Sequence, residues 1–328
     1  MTPPAPPAAA RRPWKKRLKT FRRSLRDPLL HAAAGTVASL AGILPRATLS
    51  PLAAITAALM GLWPPARRQA LANLAIAFPE LNPAARRRLA ASSRRNLILT
   101  FLEFLWFSRH PEQLKPAVDT ANPEAQAILA ACRAGRGTLF FTPHLGNWEL
   151  GGQILAAQGV ALHVIYARIR NPQLEKLVLS ARRHHGMIPI PEDGAVRGML
   201  QAFRAGHPVG ILMDQTTPPR KGGVFVPFFG LPAAVTRAPA SLARRLNLQL
   251  VLGALVRENG RLSLRGQPLP RPASDYASDE ELTADLMAAH AALIRRYPDQ
   301  YLWMYDRWRH IPPGADPAPF PAYARPLE

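Results

Sequence analysis

The sequence predicts an α/β fold, with a mostly parallel central sheet flanked by helices and an N-terminal helical region that anchors the chain to a membrane. From about residue 124 onward, short apolar, β-branched and aromatic runs alternate with stretches of helical length, which is typical of βαβ units. Before residue 66, two uncharged apolar runs follow a strongly basic segment. Four parts are expected: a disordered and basic amphipathic N-terminus (1–28), an apolar membrane-anchor region (29–65), the α/β domain (66–310) and a Pro-rich tail (311–328).

Composition limits the classes of partner. The 328 residues carry 42 Lys plus Arg against 21 Asp plus Glu, a formal charge of +21. Such a charge indicates an acidic partner: nucleic acid, an anionic membrane surface, or an acidic protein or substrate. No recognised nucleic-acid-binding motif is present, and the apolar N-terminal runs argue against that class. The single cysteine, Cys132, excludes intrachain disulfides and Cys-based zinc sites, and no cluster of ligands suggests another metal.

The N-terminal segment has the pattern of a surface-lying helix. Within 11–28, four large apolar residues follow one another at steps of four, three and four among Arg and Lys: Trp14, Leu18, Phe21 and Leu25. This spacing favours an amphipathic helix on an anionic bilayer, with a solvated basic tail as the alternative.

The anchor region consists of two short apolar runs. At about 1.5 Å per residue, neither 29–44 nor 47–63 reaches the roughly 30 Å thickness of a hydrocarbon core. Basic clusters flank the pair on both sides, which favours a shallow hairpin or an in-plane anchor over one clean span. A secretory signal is disfavoured because no small-residue cleavage site clearly follows the first run.

The remaining elements follow from periodicity. Residues 66–108 read as helical, and the chain then alternates. Strands are expected at 138–142, 162–169, 187–191, 209–213, 249–256 and 301–305. Helices are expected at 147–158, 173–185, 196–205, 234–246 and 279–296.

The turn after the first of these strands carries the most informative residues. His144 lies between strand and helix, Asn147 is a suitable N-cap, and Glu149 falls in the first helical turn. Parallel α/β sheets place their sites at the carboxyl ends of strands. A carboxylate near the imidazole would orient it as a general base. The alternative is that Glu149 only caps the helix and His144 is an ordinary turn residue.

Two further segments end apolar strands. Asp214 and Gln215 are expected at the same rim as His144, followed by Arg220 and Lys221 in a glycine-containing turn that could receive an anion or be a solvated loop. The next aromatic residues either wall a hydrocarbon channel or fill the core: Phe225, Phe228 and Phe229.

The second strand ends in two arginines. Arg168 or Arg170 could hold a phosphate or a developing oxyanion, or be plain surface charge.

Taken together, these residues resemble the bacterial lipid A biosynthesis acyltransferases, the lauroyl/myristoyl-transferring branch of the lysophospholipid/glycerophosphate acyltransferase superfamily. His144, four intervening residues and Glu149 are similar to the family's HX4E signature. The likeness runs in the same order over roughly residues 30–310 and includes these further segments: Asn73-Leu74, Ala77-Phe78-Pro79-Glu80, Asn171-Pro172, Asp214-Gln215, 224–230 with Ala233 and Thr236, and Gln300-Tyr301-Leu302-Trp303.

The resemblance implies roles for the site residues. His144 would be the general base and Glu149 its orienting partner, with Asn147 beside them. Asp214 and Gln215 would belong to the same rim. An arginine of the 166–171 stretch would hold phosphate or oxyanion; many relatives have Arg directly after the Tyr, whereas Ala167 stands there, so Arg168 and Arg170 remain alternatives. Many relatives also have His-Arg-Arg after the Trp, where this chain has Met304-Tyr305-Asp306-Arg307, which leaves Arg307 as a substrate-binding candidate.

The resemblance also implies substrates and location. The domain at 66–310 would be an acyltransferase domain, moving an acyl chain from the phosphopantetheine thioester of acyl carrier protein to a hydroxyl of a lipid A precursor or related glycolipid, without a metal or redox cofactor. The enzyme would work on the cytoplasmic side of the cell inner membrane. The positive charge independently suits an acidic carrier protein and an anionic membrane. Alternatives are another lipid acceptor, hydrolysis of the thioester, or a non-catalytic basic membrane-binding protein.

Overall fold

The computed structural model describes residues 42–169 and 172–327. The basic segment 1–28, most of the first apolar run and Arg170 lie outside the described residues. The α-helices of the described part are, in chain order, α1 (Leu49–Met60), α2 (Pro64–Ala77), α3 (Pro83–Phe107), α4 (Leu114–Ala117), α5 (Pro123–Arg133), α6 (Trp148–Ala157), α7 (Pro172–His184), α8 (Ala195–Arg204), α9 (Ala238–Leu246) and α10 (Asp279–Arg296).

The helices that precede the sheet show how the second apolar run is folded. Within the described ranges, none of the helices by itself has the length and apolar composition needed to cross a bilayer. Arg46–Met60 and Pro64–Ala77 meet that requirement only as a pair, and the pair is bent by 99°. Pro64 and Pro65 begin α2, where a missing N–H costs nothing. Several large apolar side chains of this region are more than half exposed: Ile55, Leu59, Leu62 and Trp63.

The predicted mostly parallel sheet is confirmed. Seven strands lie in the order β1-β9-β8-β2-β5-β3-β4, all neighbours parallel except β8 and β9, which form an antiparallel hairpin. Their bounds are β1 (Val118–Asp119), β2 (Thr138–Thr142), β3 (His163–Tyr166), β4 (Ile188–Pro191), β5 (Pro208–Leu212), β8 (Gln249–Glu258) and β9 (Arg261–Pro268). Buried residues form one cluster on each side of the sheet, so the central strands are apolar along their length.

One expected helix begins later than predicted, because its first residues belong to a separate hairpin. Strands β6 (Gly223–Phe228) and β7 (Leu231–Thr236) pair antiparallel, and the helix expected from residue 234 begins only at Ala238. Phe229 and Gly230, both with positive φ, form the tight turn between the two strands. Phe228 is buried in the core, as the packing alternative for the aromatic residues predicted.

The last expected strand, at 301–305, is not observed. Residues 301–305 form no strand; Tyr301 makes only an isolated bridge to Leu145. The segment is instead held by side chains, because the amide of Asn73 donates hydrogen bonds to the carbonyls of Trp303 and Tyr305. Two short strands then pair with each other: β10 (His310–Ile311) and β11 (Arg325–Pro326).

Candidate active site

The turn that follows β2 is fixed by close backbone packing. Gly146 has φ +63°, and a Cβ there would lie 2.0 Å from the carbonyl oxygen of Leu255, so only glycine fits. Asn147 caps α6 by accepting a hydrogen bond from Leu150 N, as its position in the sequence predicts. The backbone of His144 is held between β2 and residue 302, whose N–H donates to its carbonyl. His144 therefore stands at the carboxyl end of the sheet.

Strand register brings Asp214 beside His144. Thr142 is aligned with Leu212 in the β2–β5 ladder, so the residues two positions further on lie side by side. Asp214 Oδ1 is 2.6 Å from His144 Nδ1, and Asp214 Oδ2 accepts the backbone N–H of His144 at 3.0 Å. Because a carboxylate oxygen only accepts, Nδ1 carries a proton, and in the neutral imidazole the lone pair is then on Nε2. Gln215 Nε2 lies 3.3 Å from that free nitrogen.

Asp214 itself is completely buried and held on several sides. Tyr301 donates its hydroxyl to Oδ2 at 3.0 Å, and Arg307 donates to the same oxygen at 3.2 Å. Burial alone would raise the pKa of Asp214, but the adjacent His144 and Arg307 hold it well below its ordinary value. Burial raises the pKa of Tyr301 well above its usual range, so this hydroxyl stays a donor. Asp214 is thus a fixed carboxylate that orients the imidazole of His144.

Glu149 has a different partner from the expected one. Its carboxylate accepts three hydrogen bonds of 2.8–3.1 Å from the guanidinium of Arg182 on α7, and the Nδ1 of His144 is taken by Asp214. The first helical turn directs Glu149 towards α7, whereas the register of β2 and β5 directs Asp214 to the imidazole. In this structure the ring of His144 is therefore oriented by Asp214 and not, as expected, by Glu149.

The two members of the Glu149–Arg182 pair lie at an apolar slot between the sheet and α6. Four glycines are among the residues that line the slot: Gly151, Gly152, Gly210 and Gly253. Trp148, whose ring is 5.2 Å from that of His144, also lines the slot. The slot therefore begins next to the imidazole.

A polar stripe on α3 supports the same turn, and the sequence reasoning missed it. Its members follow at steps of three, four and three along the helix: Ser93, Asn96, Thr100 and Glu103. Asn96 and Thr100 donate to the carbonyl of Gly146, and Asn147 donates to Glu103 at 2.8 Å. Buried polar residues at helical spacing were the signal that could have identified this support.

The other expected site residues differ in their distance from His144. Arg307 lies at the site, bound to Asp214. Arg168 is exposed after β3, and Arg220 and Lys221 are exposed in a single 3-10 turn before β6. In the part of the chain that the structure describes, no ion pair joins these three to the His144 group, and no set of three His, Cys, Asp or Glu residues is arranged to hold a metal.

His290, on α10, is a buried histidine behind the site. Both of its ring nitrogens lack a hydrogen-bond partner among the described residues, and its ring packs edge-on against Phe141 at 5.2 Å. Burial lowers its pKa to about 4; the charge of Asp214 opposes this, and Arg307 and His144 add to it. It is therefore neutral in the folded chain at neutral pH.

We expect this burial to make stability depend on pH. His290 takes up a proton at a higher pH in the unfolded chain than in the folded chain. Its contribution to the free energy of unfolding therefore falls by roughly 3 kcal/mol as pH drops from about 6.5 to about 4. His290→Leu should flatten the denaturation profile in that window, whereas exposed His184→Ala should not. Equal slopes for His290→Leu and the parent in urea titrations would contradict the prediction.

Comparisons with known proteins identify the relatives of this chain. Residues 18–310 match the family model described as bacterial lipid A biosynthesis acyltransferase. The chain is 28% identical over 181 residues to the lipid A biosynthesis palmitoleoyltransferase of Escherichia coli, covering 55% of this chain and 58% of that protein. It is 29% identical, with the same coverage, to the lauroyltransferase of that organism. It is 24% identical over 186 residues to the phosphatidylinositol mannoside acyltransferase of Mycolicibacterium smegmatis, covering 55% and 60%. The aligned region thus spans under two thirds of each of these relatives.

Proposed function

The chain belongs to the bacterial lipid A biosynthesis acyltransferase family, and from this premise we propose that it is a membrane-associated O-acyltransferase. It moves a fatty acyl chain from the phosphopantetheine thioester of acyl carrier protein to a hydroxyl of a lipid A precursor or related glycolipid. The observation that carries the proposal is the 2.6 Å contact between His144 Nδ1 and Asp214 at the carboxyl rim of the sheet. It leaves Nε2 free to act as a base.

The proposed chemistry needs only the chain's own side chains. His144 Nε2 takes the proton of the acceptor hydroxyl while the oxygen of that hydroxyl attacks the carbonyl carbon of the thioester. Asp214 stabilises the imidazolium that forms, and the tetrahedral intermediate breaks its C–S bond. The imidazolium then protonates the leaving thiolate, so that an ester and a thiol are formed and the base is regenerated. Gln215, 3.3 Å from Nε2, occupies the place where the acceptor hydroxyl would bind and would be displaced by it.

The apolar slot beside Glu149 is proposed as the start of the path of the acyl chain; it encloses about 60 Å³ in this structure and would have to open to admit a whole chain. It starts at Trp148, next to the imidazole, and runs between glycines of the sheet and α6. At its mouth Arg182, held by two of its nitrogens on Glu149, would place a positive charge near the carbonyl oxygen of the thioester. Glu149 would then act by fixing Arg182.

Surface properties support the membrane and the carrier as partners. Exposed apolar residues at the end of α1 and in the following turn suit contact with lipid: Ile55, Leu59, Leu62 and Trp63. The charge of +21 would attract both an anionic bilayer and an acidic carrier protein. These features favour work at the cytoplasmic face of the inner membrane.

The function is tested directly by incubating the purified full chain in detergent micelles with acyl-carrier thioester and a lipid A precursor. Lipid mass spectrometry should show the acceptor gaining one acyl mass. Release of free fatty acid with an unchanged acceptor would instead indicate thioester hydrolysis, and no consumption of thioester would contradict acyl transfer altogether.

Glu149→Gln separates the role of this carboxylate from that of Asp214. Since the amide keeps the size but weakens the hold on Arg182, we expect kcat/KM to fall by about 10- to 100-fold. Arg182→Lys, which keeps the charge but loses the two-nitrogen contact, should give a loss of similar size. Activity equal to the parent in either variant would rule out the Glu149–Arg182 role, and a loss as large as that of His144→Ala would mean that Glu149 acts on the base itself.

A further inference from the structure

A second and larger cavity opens on the same rim, outside the His144 group. It encloses about 660 Å³ between the start of α1, one face of α3 and the β8–β9 hairpin. We call it the arginine pocket, after the four arginines that line it: Arg46, Arg95, Arg257 and Arg261.

Among the residues that the structure describes, one of these four arginines is paired with a carboxylate. Arg257 donates two hydrogen bonds of 2.7 Å to Glu103. Within residues 42–169 and 172–327, Arg46, Arg95 and Arg261 have no ion pair; Arg95 donates to the hydroxyl of Ser50 at 2.6 Å, and Arg46 stacks over the ring of Phe107. Three cations around one concave surface favour an anion with several oxygens, such as a phosphate ester.

A buried amide in the same wall fixes the backbone behind the pocket. Asn96 is 7% exposed, and its nitrogen donates to the carbonyls of Gly146 and Gln300. Its Oδ1 atom has no partner among the described residues. Because that oxygen is itself buried, Asn96 supports the wall of the pocket from behind and is out of a ligand's reach.

The pocket shares this wall with the catalytic turn. Asn96 binds the carbonyl of Gly146, and Glu103 accepts from Asn147, three residues after His144. A headgroup held in the arginine pocket would therefore lie one layer of residues from the imidazole.

The position of α1 indicates that the ligand is a lipid. Leu49 and Ser50, at the start of this helix, line the pocket, and Ile55 and Leu59 near its end are more than half exposed. Ser50 and Leu59 are about 14 Å apart along the helix at 1.5 Å per residue. The pocket is thus lined by the same helix that carries apolar residues suited to contact with a bilayer.

We propose that the arginine pocket binds the phosphorylated headgroup of the glycolipid acceptor, with Arg95 and Arg261 on the phosphate. This inference rests on the proposed function and assigns to its acceptor a site separate from the Arg168 and Arg220 segments. The phosphate of the thioester donor's phosphopantetheine arm has the same chemistry and is distinguished by the experiment.

The test uses the full chain carrying Arg95→Gln and Arg261→Gln together. We expect KM for a phosphorylated lipid A precursor to rise about 100-fold, with KM for acyl-carrier thioester unchanged within twofold, because two charge-assisted contacts to one phosphate are lost. The control pair Arg204→Gln and Arg245→Gln removes the same charge from exposed positions on α8 and α9 and should change neither constant. A rise confined to the thioester KM, or no change in either, would overturn the proposal.

A binding measurement keeps this test independent of turnover. Phosphatidylcholine vesicles carrying the phosphorylated precursor should sediment with the parent chain more strongly than vesicles carrying the dephosphorylated precursor. The double variant should lose that difference, whereas the control pair should keep it. Equal sedimentation of the parent with both vesicles would overturn the inference even if acyl transfer is found. If no acyl transfer is found, the proposed function fails, and the vesicle difference still decides whether the pocket recognises the phosphate.

Discussion

His144→Ala is expected to lower kcat for acyl transfer by about 10³- to 10⁴-fold, because the group placed to take the hydroxyl proton is removed. Folding should be affected far less, since Asp214 keeps the backbone N–H of residue 144, the hydroxyl of Tyr301 and the guanidinium of Arg307. Single-turnover assays read by lipid mass spectrometry give the rate, and thermal melting gives the stability.

The matched control for that variant is His184→Ala. His184 is exposed near the end of α7, so its loss should leave kcat within twofold of the parent. If His144→Ala keeps more than a tenth of the parent rate while the control behaves as stated, another group must serve as the base.

Asp214→Asn is expected to lower kcat by about 10³- to 10⁴-fold, because a neutral amide neither fixes the Nδ1 proton of His144 nor stabilises the imidazolium. It should also lower the free energy of unfolding by roughly 3 kcal/mol, since Arg307, which is 2% exposed, loses its buried counter-charge. Urea denaturation and steady-state kinetics on the same preparation measure the two effects.

Tyr301→Phe keeps this prediction testable if the asparagine variant is too unstable. It removes one hydrogen bond to Asp214 and no charge, so kcat should fall by about 10-fold with little loss of stability. The exposed Asp193→Asn serves as the control for removing a carboxylate and should behave as the parent. Parent-like kcat in both Asp214→Asn and Tyr301→Phe would mean that the carboxylate is structural only.

Local sequence patterns identified most of the sheet and both strand ends that carry the chemistry. The apolar run before Pro143 and the one before Asp214 correspond to β2 and β5, and Asn147 caps α6. The apolar pattern sufficed there because each strand is buried on both faces and reads as a continuous apolar run. It failed at 234–236 and 301–305, where pairing with β6 and hydrogen bonds from Asn73 decide the conformation.

The arrangement around the imidazole depended on contacts that spacing does not encode. His144 and Asp214 are 70 residues apart, and Arg307 is 93 residues beyond Asp214. The neighbour in sequence, Glu149, is directed by its helix towards Arg182. The α3 stripe supports the turn from more than 40 residues away.

By itself, the sequence determined which residues end the apolar strands, and therefore that His144, Asp214 and Gln215 share one rim, because periodicity and capping are local properties of the chain. Tertiary structure alone decided that Asp214 rather than Glu149 orients the imidazole, and that Tyr301 and Arg307 hold it. The order and register of β2 and β5 place residues 144 and 214 side by side, and strand order is set by how the whole chain packs.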